Sequence, residues 1–146
     1  MTTVTIRPPD IKVEDIMTKT VHAVDLMMSV KQVIKLLTHY NVSGAPIVDN
    51  LQNVISVISE GDTLKLAAMP GGMDKLIGAC LDHLPKTANL ITTRAQNSFA
   101  DVYKQFLHHP FHRIIVIDGN GKLVGLVSRS NILRLLVETP KTKPKK

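Results

Sequence analysis

Apolar and polar positions along this chain switch between two periods, and the switch occurs twice. Ala45 to Asp49 (APIVD) and Val54 to Ile58 (VISVI) are short runs of β-branched and aliphatic side chains, the composition of buried strands. The same pair returns as IIVID at 114–118 and KLVGLV at 122–127. Between the later two, Asp118-Gly119-Asn120-Gly121 supplies residues that tolerate positive φ, as a tight reversal requires. Helical periodicity flanks each pair. Ser29 stands before Val30, Val33, Ile34 and Leu37, spaced i, i+3, i+4, i+7. Ser98 stands before Phe99, Val102, Tyr103 and Phe106 in the same way. Asn41-Val42-Ser43-Gly44 ends the first of these helices, and His108-His109-Pro110 the second. A further helix follows each strand pair: Ser59 to Ala68, and the stretch from Ser128 that carries Ile132, Leu135 and Leu136. Weaker signals complete the set. Lys12 to Thr18 is a short helical start, Val21 to Val24 a first strand and Asn89 to Thr93 its later counterpart. Met69-Pro70-Gly71-Gly72 breaks the pattern, and Asp74 to Leu84 reads as a linking helix stopped near Pro85. The predicted order is β-α-β-β-α, twice.

Sliding the sequence by 69 positions without gaps lays one half on the other. Asp49 falls on Asp118, Ser59 on Ser128, Asp62 on Asn131, Leu66 on Leu135, Ser29 on Ser98 and His39 on His108. A unit of this size would struggle to bury a core alone, whereas two copies packed face to face can do so. That arrangement predicts an α+β fold of small sheets packed against helices, with the repeats related by a pseudo-twofold axis. Paired clefts would lie between the copies, each drawing residues from both. The expected boundaries are 12–68 for the first repeat, 69–85 for a linker with its helix, and 86–137 for the second. The two repeats form one module, after an extended leader over residues 1–11 and before a basic tail at 138–146 expected to be disordered.

Composition narrows the function classes. The net charge is +6, but four lysines in the last eight residues, TPKTKPKK, account for all but +2 of it. A near-balanced body without aromatic stacking platforms is not the pattern of a nucleic-acid binder. The single Cys80 excludes internal disulfides and is expected to be a small buried side chain. No apolar run approaches the ~20 residues of a membrane span, and no signal-peptide pattern opens the chain, so a cytoplasmic protein is expected.

Candidate chemistry begins with Ser59-Glu60-Gly61-Asp62 and its counterpart Ser128-Arg129-Ser130-Asn131. One reading is a helix start, with Ser as N-cap and Asp or Asn answering back as in a capping box. The other adds a ligand to that start. Unpaired N–H groups and a positive dipole end suit a phosphate, and a carboxylate one turn in can accept hydrogen bonds from a cis-diol. Phe111-His112-Arg113 divides similarly between a phosphate clamp and a strand-entry arginine paired with a surface acid. The matching Val42-Ser43-Gly44 has no cation, so two clefts built this way would differ. The histidines at 108, 109 and 112 do not share a face with an acid or cysteine at ligand spacing, and no metal site is expected. His22 in its apolar strand reads as packed, and Met27 and Met28 as core or dimer contacts. No nucleophile–base pair, carboxylate pair or glycine-rich phosphate loop stands out, so an enzyme is not expected.

Together DIMT at 15–18, GAPIVD at 44–49, the Ser-x-x-Asp that follows, and HRIIVID through GLVSRSNIL resemble the CBS domain, named from cystathionine β-synthase, as a tandem pair or Bateman module. The resemblance spans about residues 12–137, and the second copy looks especially like a repeat of the γ subunit of AMP-activated protein kinase. It implies adenosine ligands such as AMP, ADP, ATP or S-adenosylmethionine, with no required cofactor, and often a flat homodimer. Carried over residue by residue, one cleft would join Ser59 and Asp62 to Ile91, Phe111, His112 and Arg113. Asp62 would hold the ribose, Ser59 and the His-Arg pair the phosphate, and Ile91 with Phe111 the adenine. The other cleft would join Ser128 and Asn131 to Met17, His22, Val42 and Ser43, and lacks both carboxylate and cation. Losing the charged acceptor costs on the order of 1 kcal/mol, about tenfold in affinity. Ser56 replaces the glycine that the family often carries before Ser-x-x-Asp, which Gly125 retains. It would either narrow the slot or supply a hydroxyl.

The expected function is therefore a non-catalytic adenosine-nucleotide sensor, signalling through a homodimer or through a separate regulated enzyme or transporter. The alternatives are a structural dimerisation module with empty clefts and, more weakly, a nucleic-acid-associated protein working through the lysine tail.

Overall fold

The computed structural model describes residues 11–110 and 112–138; residues 1–10, Phe111 and the tail from 139 lie outside the described residues. Elements run in the order α1 (Val13–Ile16), β1 (Val24–Asp25), α2 (Val30–His39), β2 (Gly44–Val48), β3 (Val54–Ser59), α3 (Glu60–Ala68), β4 (Thr92–Thr93), α4 (Phe99–His108), β5 (Arg113–Ile117), β6 (Leu123–Ser128) and α5 (Arg129–Glu138). Two compact units result. One consists of Val21–Leu90 with Asn120–Leu123; the other holds the described parts of Met1–Thr20, Ile91–Gly119 and Val124–Lys146. The α+β class read from the pattern holds, with one three-stranded sheet and its helices in each unit.

In the first unit β2 is the central strand, parallel to β1 and antiparallel to β3. All five of its residues are buried, whereas β3 alternates and buries Val54, Ser56 and Ile58. That contrast is what a central strand beside an edge strand predicts. Ile47 and Ile58 pack with Val24, Val30, Val33, Leu37 and Leu66 in one core. Cys80 lies in the same core, 1% exposed, as a small buried side chain should. The apolar stripe anticipated for α2 is the buried one. This helix starts on a reciprocal cap: Ser29 Oγ accepts from the Gln32 amide at 3.1 Å while Gln32 Oε1 accepts from the Ser29 amide at 2.8 Å. It ends where Asn41 turns to φ 52°, with Asn41 N–H donating to Thr38 and Val42 N–H to Leu37, the Schellman closure.

The second unit repeats the plan. Its sheet runs β4-β5-β6, with Thr92 and Thr93 of β4 parallel to Ile115 and Val116 of β5. Phe99 and Val102 of α4 pack on Ile114, Val116, Val127 and Ile132, with Tyr103 and Phe106 at the margin.

Two sequence expectations come out differently. The first strands are two residues long and not four or five, because pairing with β2 and β5 begins only at Val24 and Thr92. The linking α-helix is instead a set of 3-10 turns at Gly72–Asp74, Ile77–His83 and Thr87–Asn89. Its amides are drawn elsewhere: Ile77 N–H donates to Met28 and Gly78 N–H to Leu26, leaving no α ladder to form. The glycine pair ahead of it is structural. Gly71 takes φ 68°, and a Cβ on Gly72 would collide with the Leu66 carbonyl.

The two units also exchange their leading segments. The N-terminal piece, Ile11 to Thr18, belongs with the second half of the sequence. Phe99 N–H donates to Ile11, Val13 N–H to Asn97 and Glu14 N–H to Ala95. The first unit carries the same three-bond ladder, from Val30 to Lys75, Ile77 to Met28 and Gly78 to Leu26. Each unit thus seats a segment that stands immediately ahead of the other repeat in the chain. Among the described residues no helix is long and apolar enough to cross a membrane.

Candidate functional site

The two Ser-x-x-Asp/Asn segments sit at the same place in the two units, where the last strand passes into a helix. Ser59 ends β3 and caps α3: its Oγ accepts from the Asp62 amide at 3.0 Å, and Asp62 Oδ2 accepts from the Ser59 amide at 2.9 Å. Thr63, 4% exposed, closes the turn by donating its hydroxyl to the Ser59 carbonyl at 2.8 Å. The cap reading is therefore correct, and it uses one carboxylate oxygen. Among the described residues Asp62 Oδ1 has no hydrogen bond, and the side chain is half-buried.

Ser128 and Asn131 repeat the cap at α5, with one difference. Asn131 Oδ1 accepts both the Ser128 amide, at 2.7 Å, and the Ser128 hydroxyl, at 3.1 Å. Asn131 is 8% exposed and carries no charge. A neutral amide thus makes the same cap as Asp62 but doubles the load on one oxygen.

The strand-entry residues also correspond. Ser43 leads into β2 and its carbonyl accepts from Glu60 N–H at 2.9 Å; His112 leads into β5 and its carbonyl accepts from Arg129 N–H at 3.2 Å. Within each unit the residue before the central strand is therefore tied to the first residue of the helix that Ser59 or Ser128 caps. His112 and Ser43 are exposed, Val42 packs against the first core, and Arg113 is half-buried at the start of β5. Phe111, expected at the adenine edge, lies outside the described residues. Ile91, just ahead of β4, is 43% exposed.

His22 is not the plain packed residue its apolar strand suggested. Its ring is stacked on that of Tyr40, centroids 3.5 Å apart and planes 10° from parallel. No signal in the strand pattern pointed to Tyr40, which follows the last residue of α2.

Met17 and Ser56 mark the other end of the motif. In the second unit the Met17 sulfur packs onto Gly125, where an added Cβ would lie 2.6 Å from it. Thr18 beside it exchanges two backbone hydrogen bonds with Leu126, at 2.8 and 3.0 Å. In the first unit Ser56 stands in place of that glycine, 1% exposed, and its Oγ donates to the Pro85 carbonyl at 2.8 Å. Of the two roles open to Ser56, the hydroxyl is engaged in holding a backbone segment.

The model of the CBS domain family matches residues 13–68 and 83–138. The chain belongs to this family, as a pair of domains. It is 26% identical over 152 aligned positions to the chloroplastic CBS domain-containing protein CBSX2 of Arabidopsis thaliana, covering 86% of this chain and 63% of that protein. The crystal structure of CBSX2 in complex with AMP superposes with a TM-score of 0.74 at 27% identity, over 88% of this chain and 97% of that one. The γ-3 subunit of human 5'-AMP-activated protein kinase is 28% identical over 102 positions, 68% of this chain and 21% of that subunit. The CBS pair of protein MJ0100, in complex with 5-methylthioadenosine and S-adenosyl-L-methionine, shares the fold with a TM-score of 0.70 at 23% identity, over 85% of this chain and 94% of that one. The chain spans less than two thirds of the length of the curated relatives CBSX2 and γ-3.

Proposed function

We propose that this chain is a regulatory, non-catalytic module that binds an adenosine nucleotide of the AMP, ADP or ATP type, or S-adenosylmethionine, and signals through a homodimer or a separate partner protein. The observation that carries the reading is Asp62. It completes the cap of α3 with Oδ2 and keeps Oδ1 free of hydrogen bonds among the described residues, at a helix N-terminus whose dipole favours anions. Such a carboxylate is equipped to accept the two hydroxyls of a ribose. Ser59 of the same unit is a phosphate candidate in this reading; in the other unit His112 and Arg113 are phosphate candidates, and Ile91 with Phe111 candidates for the base. Ser128, Asn131 and Met17 in the second unit, and His22, Val42 and Ser43 in the first, are the corresponding candidates, and Ser128 with Asn131 is the weaker cap, because Asn131 brings no charge and its Oδ1 already serves Ser128 twice. The AMP bound in the CBSX2 structure supports the ligand class. Ligand acts on such a module only as far as it binds two conformations unequally. Calorimetric titration with AMP, ADP, ATP, S-adenosylmethionine and cyclic di-AMP tests the reading, and a folded protein that binds none of them overturns it.

A purely structural assembly module is favoured by one feature. Leu133 and Val137, one turn apart on α5, are 62% and 72% exposed, with Leu136 beside them at 41%. An apolar stripe of this kind suits contact with another protein surface. Sedimentation showing a stable dimer, together with melting temperatures that no nucleotide moves, would favour this second reading.

A further inference from the structure

His22 and Tyr40 stack their rings face to face. Its 3.5 Å centroid separation and 10° interplanar angle are those of a base laid flat on a side chain. His22 is the first-repeat counterpart of Ile91 under the 69-residue shift, and so takes the base edge of the first repeat in the adenosine reading above. Tyr40 is brought there by the backbone. The Schellman closure at Asn41 and Val42 fixes the end of α2, and Tyr40 itself is held at φ −92°, ψ 0° with its amide bonded to Leu36. His39 meets the Tyr40 ring edge-on at 4.7 Å. In the second repeat the residue at this place is His109, and Pro110 follows it. A residue before proline is pushed out of the helical region, and His109 is extended at φ −137°, ψ 144°. Ile91 is 43% exposed there. His22 thus lies under a ring, whereas Ile91 is exposed.

We propose that Tyr40 acts as an internal stand-in for the adenine ring, closing the first-repeat base edge so that the resting protein takes one adenosine ligand per chain. The inference rests on the adenosine reading above and adds its regulation.

The test is binding stoichiometry on the full chain, with AMP and S-adenosylmethionine as probes, for the wild type, Tyr40→Phe and Tyr40→Ala. One ligand per wild-type chain, one per Tyr40→Phe chain and two per Tyr40→Ala chain is the expected result. No binding by the wild type with new binding by Tyr40→Ala overturns the count of one ligand per resting chain. Two ligands per wild-type chain, or a folded Tyr40→Ala that gains none, overturns it while the nucleotide reading stands. Failure of every variant to bind sinks both. Should Tyr40→Ala not fold, the imidazole protons of His22 give the answer in the wild type. Their ring-current shift persists at AMP saturation if Tyr40 stays in place, and its loss refutes the block.

Discussion

Ser56 donates its hydroxyl to the carbonyl of Pro85 across 2.8 Å, at the position where the second repeat has Gly125 under the Met17 sulfur. One repeat binds its borrowed segment with a side-chain hydrogen bond, and the other by removing the side chain. Ser56→Ala leaves the Pro85 carbonyl without that donor and should cost about 1 kcal/mol in urea unfolding. Gly125→Ala should cost about 1–3 kcal/mol. The sulfur can move aside, but the Thr18 carbonyl, 3.1 Å from the new Cβ, is held by the Leu126 amide. Pairing Gly125→Ala with Met17→Ala should recover part of that loss and not all of it.

Asp62→Asn separates the structural role of this residue from its proposed binding role. Asn131 demonstrates that an amide oxygen can make the cap, so the substitution should lower stability by only about 0.5 kcal/mol, the share due to charge at the helix end. Affinity for the tightest adenosine ligand should fall about tenfold. Unchanged affinity would remove Asp62 from the ribose. Asn131→Ala should weaken binding less than either Asp62→Ala or Arg113→Ala.

The acid limb of the stability curve should carry the signature of Asp49. Hydrogen bonds from the Asn53 amide foremost, then from the Asn53 side chain and the Leu51 amide, together with the nearby Lys122 charge, hold its carboxyl below the ordinary value of 3.8. A carboxylate whose pKa is lowered by folding contributes stability that is fully present above its unfolded pKa. That contribution is lost as pH falls through the folded one. Melting temperature measured from neutral pH downward should therefore drop less steeply for Asp49→Asn than for the wild type below about pH 4. Identical slopes would show that the turn does not contribute in this way.

Val13→Ala tests the exchanged segment. Val13 is fully buried, in a core with Phe99, Val102 and Ile114. Its truncation should destabilise the second unit by about 2 kcal/mol. Hydrogen exchange should quicken at Val102 and Val116 and leave Val33 and Ile47 unchanged if the units open separately.

Much of this architecture is local and was therefore legible in the sequence. The stripe Val30-Val33-Leu37, the Ser29 and Ser98 caps and the β2–β3 pair each follow from periodicity or capping chemistry within a few residues. The features missed depend on partners far along the chain. Ile77 and Gly78 leave the α conformation because Met28 and Leu26 take their amides, and no window around residue 77 contains those acceptors. Asp62 and Asn131 could be found because the 69-residue shift aligns them. Tyr40 stayed hidden because its counterpart is His109, and the difference between them lies in a neighbour, Pro110, that redirects the backbone.

The exchanged leaders also bear on how the protein is made. Residues 21–90 hold nearly all of one unit in a single stretch, and that stretch emerges from the ribosome complete before the other unit exists. Ile11 to Thr18 emerges earlier still, yet its hydrogen-bond partners Asn97, Phe99 and Leu126 are among the later residues synthesised. A segment translated ahead of both repeats is thus seated only after the second is made, a high-contact-order step. A translational pause before Leu126 would leave the Val13 side chain exposed for as long as the pause lasts.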